Sequence, residues 1–172
     1  VILVPYTKLL PATQLAVPEA KFVRIEHNDH YRLLLGEMWE RGEAFTLVEH
    51  DVVPTRAQIE SLEQCPSPWC FYGYHPGHWV PVFGCVRFSS ELIAATRGAW
   101  DDPSWPWNQL DAKFHLYARE RGGIPHWHYP HVKHDALYGC ETGEERLPLS
   151  DELRSMLIER EAESLREIQS QR

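Results

Sequence analysis

Phe45-Thr46-Leu47-Val48-Glu49-His50-Asp51-Val52-Val53-Pro54 is the stretch whose reading decides the fold. Phe45, Leu47 and Val48 form a short apolar run of the kind that makes a buried strand. The run stops at Glu49-His50-Asp51 and resumes with Val52 and Val53 before Pro54 closes it. On an extended chain, side chains two apart point the same way, so Glu49 and Asp51 are expected to converge on one point. Carboxylates that close repel each other unless a cation or a shared proton lies between them. An isolated Glu-x-Asp is more simply a strand end meeting water, and the flanking segments decide between the two readings.

Upstream, Val1 to Val4 reads as a buried strand ending at Pro5-Tyr6-Thr7-Lys8. A connection punctuated by Pro11 and Pro18 leads to a second strand over Lys21 to Glu26. His27-Asn28-Asp29 is a polar turn suited to cap a helix from Tyr31 to Arg41, which Gly42 stops. Downstream of the opening stretch, Thr55 is the expected N-cap of a helix through Gln64. Strands and helices in this order predict a mostly parallel, helix-covered α/β sheet. Ligands of such sheets sit at the carboxyl ends of the strands. Tyr6-Thr7, His27-Asp29 and Glu49-Asp51 all fall there, which predicts one nucleotide-sized site.

The second half has a different texture. Trp69 to Tyr74 and Trp79 to Phe88 are aromatic strand candidates, broken by Gly73, His75-Pro76-Gly77 and Pro81. Ser89 caps a helix from Glu91 to Arg97 that Gly98 closes. A stiff loop, Trp100-Asp101-Asp102-Pro103-Ser104-Trp105-Pro106-Trp107, precedes an amphipathic helix from about Asn108 to Arg121. His126, His128, His131 and His134 follow, and Ser150 caps a charged helix with a thin apolar stripe. Residues 1–147 are expected to form one domain and 148–172 a helical extension that packs peripherally or on a partner, as in a homo-oligomer.

Composition bounds the function. The chain of 172 residues is 43% hydrophobic, enough for one real core, and no apolar run approaches a membrane span. Val1 to Val4 is too short for a signal peptide. A net charge of −8 argues against general electrostatic binding to nucleic acid. Cys65, Cys70, Cys85 and Cys140 lack Cys-x-x-Cys spacing, so free thiols in a cytoplasmic protein are expected, with a Cys65–Cys70 disulfide as the alternative.

Asp51 with the histidines makes an oxygen and nitrogen donor set suited to a divalent ion such as manganese. His131 and His134, three apart, share a face if their segment turns. His126 and His128 read as packing residues beside Trp127 and Tyr129. Asp111 opens the amphipathic helix, where the helix dipole alone accounts for an acid. The functional alternative makes it a general base, with Trp105 and Trp107 stacking on a sugar.

In this order the motifs resemble the metal-dependent glycosyltransferases of the GT-A fold, and most closely the beta-1,4-galactosyltransferase family. Pro5-Tyr6-Thr7 is similar to that family's P-F-R nucleotide segment. Tyr31-Arg32 with Leu33-Leu34 resembles F-N-R-A-x-L-L, near the uridine. Glu49-His50-Asp51-Val52-Val53-Pro54 resembles D-V-D-L-I-P, the metal-binding segment. Phe83-Gly84-Cys85-Val86 is similar to F-G-G-V beside the donor sugar. Trp105-Pro106-Trp107-Asn108-Gln109-Leu110-Asp111 parallels W-G-W-G-G-E-D, which ends in the catalytic base. His131-Val132-Lys133-His134 parallels M-x-x-H, the remaining metal ligands. The resemblance spans about residues 1 to 134.

The resemblance implies a Rossmann-like GT-A domain that transfers a hexose from UDP-glucose or UDP-galactose, with Mn2+ or Mg2+ bound and with inversion. It makes Asp111 the catalytic base and Asp51, His131 and His134 the metal ligands. Pro5, Tyr6, Thr7, Asp29, Arg32, Glu49, His50, Gly84 and Trp107 become the donor-site residues, with Glu49 on the ribose or a metal-bound water. The departures also carry meaning. Glu49 replaces the first aspartate, Thr7 replaces an arginine, and His131 replaces a methionine. Leu110 replaces the acceptor-binding glutamate, so the family's amino-sugar acceptor does not carry over. Compact enzymes of this sort resemble those of bacteria and phages, whose acceptors range from glycans to hydroxylated bases in modified DNA. Two rivals remain: a zinc hydrolase built on His126, His128, His131 and His134, and a non-catalytic nucleotide-sugar-binding module.

Overall fold

The computed structural model describes residues 1–73 and 81–134. The turn His75-Pro76-Gly77, Cys140 and the helix expected over 148–172 lie outside the described residues. The elements run β1 (Ile2–Tyr6), α1 (Pro11–Ala16), β2 (Lys21–Arg24), α2 (Asn28–Arg41), β3 (Phe45–Val48), β4 (Val52–Val53) and α3 (Arg56–Gln64). β5 (Trp69–Tyr72), β6 (Cys85–Phe88), α4 (Ser90–Ala95), a 3-10 turn (Trp107–Gln109), α5 (Leu110–Arg119), β7 (Pro125–His128) and β8 (Lys133–His134) follow.

The main sheet is 6-stranded, in the order β2-β1-β3-β6-β5-β7. β2, β1, β3, β5 and β7 run one way, and β6 runs against its neighbours β3 and β5. This is the mixed, mostly parallel, helix-flanked Rossmann-like α/β sheet expected from the order of elements. Strand alternation sorts the core into two layers. Leu3, Phe45, Leu47, Trp69, Phe71, Val86 and Phe88 face the layer shared with α2, α4 and α5. Ile2, Val4, Val48, Cys70, Tyr72 and Cys85 face the layer shared with α3. A strand buried on both faces has little polar side to show, which is why Phe45–Val48 is apolar except for the small, buried Thr46.

Trp39 of α2 anchors the larger layer. Its ring meets Phe45, Phe88, Trp100 and Phe114 edge-on at 5.1–5.7 Å, and its indole N–H donates to Thr96 Oγ1 at 2.9 Å. Edge-to-face pairs of this kind add about 0.5–1.5 kcal/mol each beyond their area.

The caps follow the sequence closely. Thr55 forms a full capping box with Gln58, Ser89 accepts from the Leu92 amide, and Gly42 ends α2 in the left-handed region at φ 71°. Three expectations change. Pro11 starts a helix rather than a connection, because proline at the first helical position lacks only an amide that would be unpaired anyway. α2 begins at Asn28, with His27 as a cap that makes no side-chain bond, so the polar turn enters the helix. Of the strand expected over 79–88, the described part from residue 81 on forms strand at Cys85–Phe88, with Phe83 and Gly84 in a turn before it. Cys65 and Cys70 are free thiols, as expected, and the alternative disulfide does not form.

Candidate functional site

The carboxyl ends of β1, β2 and β3 lie side by side, and the candidate residues gather beyond them. β6 enters antiparallel beside β3, pairing Cys85 with Val48. Gly84 therefore lies against Glu49, whose amide donates to the Gly84 carbonyl at 2.8 Å. The chain then turns sharply, the Val52 amide donating to the Glu49 carbonyl at 3.1 Å. The expectation of an extended Glu49-His50-Asp51 is thus corrected. The segment reverses into β4, so the acids sit on a turn rather than on one face of a pleat. Two bonds hold the turn from outside: Leu10 N and Thr13 Oγ1 both donate to the His50 carbonyl, at 3.3 and 2.9 Å.

β4 pairs antiparallel with β8, setting Val52 opposite His134. That ladder brings His134 Nε2 to 3.2 Å from Asp51 Oδ2. Asp51 is 6% exposed. Burial works against its ionisation, but the His134 hydrogen bond and the charges of His50 and His134 outweigh it and hold the carboxyl below its usual value. His50 moves down, chiefly because burial disfavours its cation.

Tyr31, near the start of α2, joins the acids into one site. Its hydroxyl donates to Glu49 Oε1 at 3.4 Å. Its ionisation is pushed well above the normal phenol range by burial, then by the fields of Glu49 and Asp111, with Asp51 adding to them. One half-buried hydroxyl thus senses carboxylates from the β3 turn and from α5. Asp111 sits in the first turn of α5, where its Oδ1 accepts from the Ala112 amide at 2.8 Å.

Other expected residues are placed less evenly. Pro5 and Tyr6 end β1, and the Tyr6 carbonyl accepts from Ile25 at 2.7 Å, keeping the β1 and β2 ends together. Thr7 follows as an exposed residue, and Asp29 lies in the first turn of α2. Arg32 turns to the loop after α4, donating to the Trp100 carbonyl at 2.6 Å, and lines a cavity of about 690 Å3 with Gly36, Trp39 and Asp101. Trp107 is 43% exposed, whereas Trp105 packs edge-on against Trp100 and Tyr117.

His131 does not share a face with His134. Its segment is extended rather than turned, so residues three apart diverge. The His131 ring lies against Gly73, where a Cβ would stand 3.2 Å from its Cδ2, and edge-on to Tyr129. Among the described residues, the cluster of three ligand-type side chains is Cys65, His126 and His128. His126 and His128 do pack, ring on ring at 4.6 Å with Tyr72 beside His128, and both also lie within reach of Cys65. Cys65 and His126 are 61 positions apart, and no spacing motif signals the pairing. Tyr31 was legible as the start of a helix and, through the resemblance, as part of a segment near the uridine, but nothing in its neighbours marks its hydroxyl.

Neither a family model nor a curated protein matches the sequence. The likeness to the beta-1,4-galactosyltransferases therefore rests on the motifs alone. Among solved structures, A197 from STIV aligns over 74% of this chain and 80% of its own, with TM-score 0.52 and 9% identity. A glycosyltransferase involved in the glycosylation of the major capsid of PBCV-1 aligns over 75% of this chain and 81% of its own, with TM-score 0.49 and 16% identity. The likeness to A197 is one of fold, and fold by itself assigns no chemistry. Among the described residues, no helix is long and apolar enough to cross a membrane.

Proposed function

We propose that the chain is a metal-dependent glycosyltransferase that moves a hexose from a UDP-linked sugar to a hydroxyl acceptor. The observation that carries this reading is that the half-buried Tyr31 hydroxyl, bonded to Glu49, lies in the fields of Glu49, Asp111 and Asp51, with His134 on Asp51. Acids drawn from separate segments to the carboxyl end of a Rossmann-like sheet suit a site for a phosphorylated ligand and a cation. Asp51 and His134 supply one oxygen and one nitrogen. That is few ligands for a metal cage, but it fits an ion that completes its shell with substrate phosphates. Bound there, Mn2+ or Mg2+ supplies positive charge that offsets the diphosphate and stabilises the departing nucleotide.

The chain's own residues do the rest. Pro5, Tyr6, Thr7 and Asp29 border the nucleotide at the strand ends, and Glu49, tied to the Tyr31 hydroxyl, faces the ribose. Trp107 offers an exposed ring face to a sugar. Asp111 takes the proton of the acceptor hydroxyl as its oxygen bonds to the anomeric carbon. The bond from that carbon to the diphosphate breaks on the opposite side, and the diphosphate keeps the electron pair, so the configuration inverts. His131 is left out of the ligand set because its ring is turned to Gly73.

A thermal-shift panel of nucleotide sugars with and without manganese tests donor and metal together. A UDP-sugar shift that requires manganese supports the reading, and no shift with any nucleotide sugar removes it. Asp111→Asn should keep donor binding and lose transfer; unchanged turnover would sink its assigned role. Binding without transfer to glycan acceptors or hydroxymethylated DNA would instead mark a binding module.

A further inference from the structure

The far edge of the main sheet carries a second group of ligand-type side chains. β7 is the edge strand there and pairs with β5, with Cys70 opposite His126 and Tyr72 opposite His128. Trp127 packs against the α5 layer, so alternation sends His126 and His128 to the other face, where Cys70, Tyr72 and α3 pack. The last turn of α3 and the residue that caps it bring Ser61 and Cys65 to the same place.

The geometry there is specific. Cys65 Sγ lies 3.3 Å from His126 Nδ1, and the His126 and His128 rings stack at 4.6 Å. One ligand atom from each of the three residues lies within 4.8 Å of the others. Ser61 Oγ is 3.0 Å from His128 Nδ1, while Nε2 of that ring is buried without a hydrogen-bond partner. These residues line an open pocket of about 380 Å3 together with Glu60 and Gln64.

We propose that Cys65, His126 and His128 bind a zinc ion. A thiolate with two imidazoles is a borderline-soft donor set that suits zinc and not magnesium or calcium. Donors on tetrahedral zinc stand about 3.5 Å apart, given bond lengths near 2.3 Å to sulfur and 2.0 Å to nitrogen. The Cys65–His126 separation of 3.3 Å is already close to that spacing. Ser61 fits as an outer partner: a His128 Nδ1–H donated to its hydroxyl sets the tautomer that leaves the Nε2 lone pair for an ion. A Cys–His hydrogen bond beside stacked rings accounts for the rest of the cluster but leaves that buried nitrogen unexplained. Zinc here ties the end of α3 to the edge strand, so it stabilises the fold by binding only the folded chain. The site shares no residue with the one around Asp51, and its chemistry is independent of the proposed transfer.

The test uses the full chain, stripped with chelator and loaded with cobalt(II) as a spectroscopic substitute for zinc. A thiolate-to-cobalt absorption band in the near ultraviolet, displaced by zinc, is the expected result. Cys65→Ser should abolish the band, and Asp51→Asn should leave it intact. His126→Gln changes an exposed side chain on the edge strand. It should weaken zinc by at least about 100-fold in a competition titration, the upper end of what losing a mere supporting contact costs. No band in the parent chain, a band that persists in Cys65→Ser, or unaltered zinc affinity in His126→Gln overturns the proposal.

Discussion

His134 Nε2 stands 3.2 Å from Asp51 Oδ2, and the β4–β8 ladder puts it there by pairing His134 with Val52. The side chains are only 15% and 9% exposed, so water cannot fully replace the contact when either side is removed. Asp51→Asn and His134→Ala should each lower stability by about 1–3 kcal/mol in urea denaturation with chelator present. The double variant should lose less than the sum, because both changes break one contact. Calorimetry should also show manganese-dependent UDP binding lost in both. Additive losses with normal binding would remove the pair from both roles.

Tyr31→Phe isolates the hydroxyl that faces Glu49. Its hydrogen bond is long, at 3.4 Å, so the direct loss falls near the low end of the usual range, about 0.5 kcal/mol. The phenyl ring still fills the same space, so the denaturant slope should not change. A loss well above about 1.5 kcal/mol would mean that the hydroxyl also relieves repulsion among the surrounding acids. Equilibrium unfolding of the two proteins decides between these outcomes.

The sheet was legible because its signals are local. Thr55 and Ser89 carry their capping chemistry in the next few residues, Gly42 marks a left-handed stop, and Phe45–Val48 is apolar except for the small Thr46. α1 was hidden because Pro11 reads as a breaker unless it stands at the first helical position. The site was legible in part for the same reason. Glu49 and Asp51 are neighbours in sequence, and strand ends are where ligands go. The turn at His50 was not, because it depends on Leu10 and Thr13, which lie far away in the chain. The His131 placement depended on whether its segment turns, and pairing of β8 with β4 decided that question from outside the segment.

Two glycines should respond in opposite directions to alanine. At Gly36, inside α2, an added Cβ meets Trp100 Cβ at 3.7 Å, an ordinary contact. Gly36→Ala should therefore stabilise the chain by about 0.5–1 kcal/mol through a less floppy unfolded state and better helix propensity. At Gly123 the new Cβ would stand 2.7 Å from Leu92 Cδ1 and 3.0 Å from the Ala118 carbonyl. The Leu92 tip can rotate, but the carbonyl belongs to the end of α5. The neighbouring Gly123 carbonyl also holds the Trp69 indole at 3.0 Å. Gly123→Ala should cost about 1–3 kcal/mol as overpacking, read as a lower urea midpoint.

Cys85 gives a prediction that depends on pH. It is fully buried beside Val48 in the sheet, and burial raises its thiol from the usual value of 9.0 to about 12. The folded state therefore favours the neutral thiol. That contribution is fully present below the unfolded value of about 9 and fades as pH rises toward about 12. Cys85→Ala lacks the titrating group, so its stability should fall less steeply than the parent's across that interval. Because the thiolate is the nucleophile, iodoacetamide near neutral pH should leave Cys85 unmodified in the folded chain and alkylate it in urea. Peptide mapping by mass spectrometry reads the second result. Labelling of Cys85 in the folded protein would show that this strand opens to solvent without global unfolding.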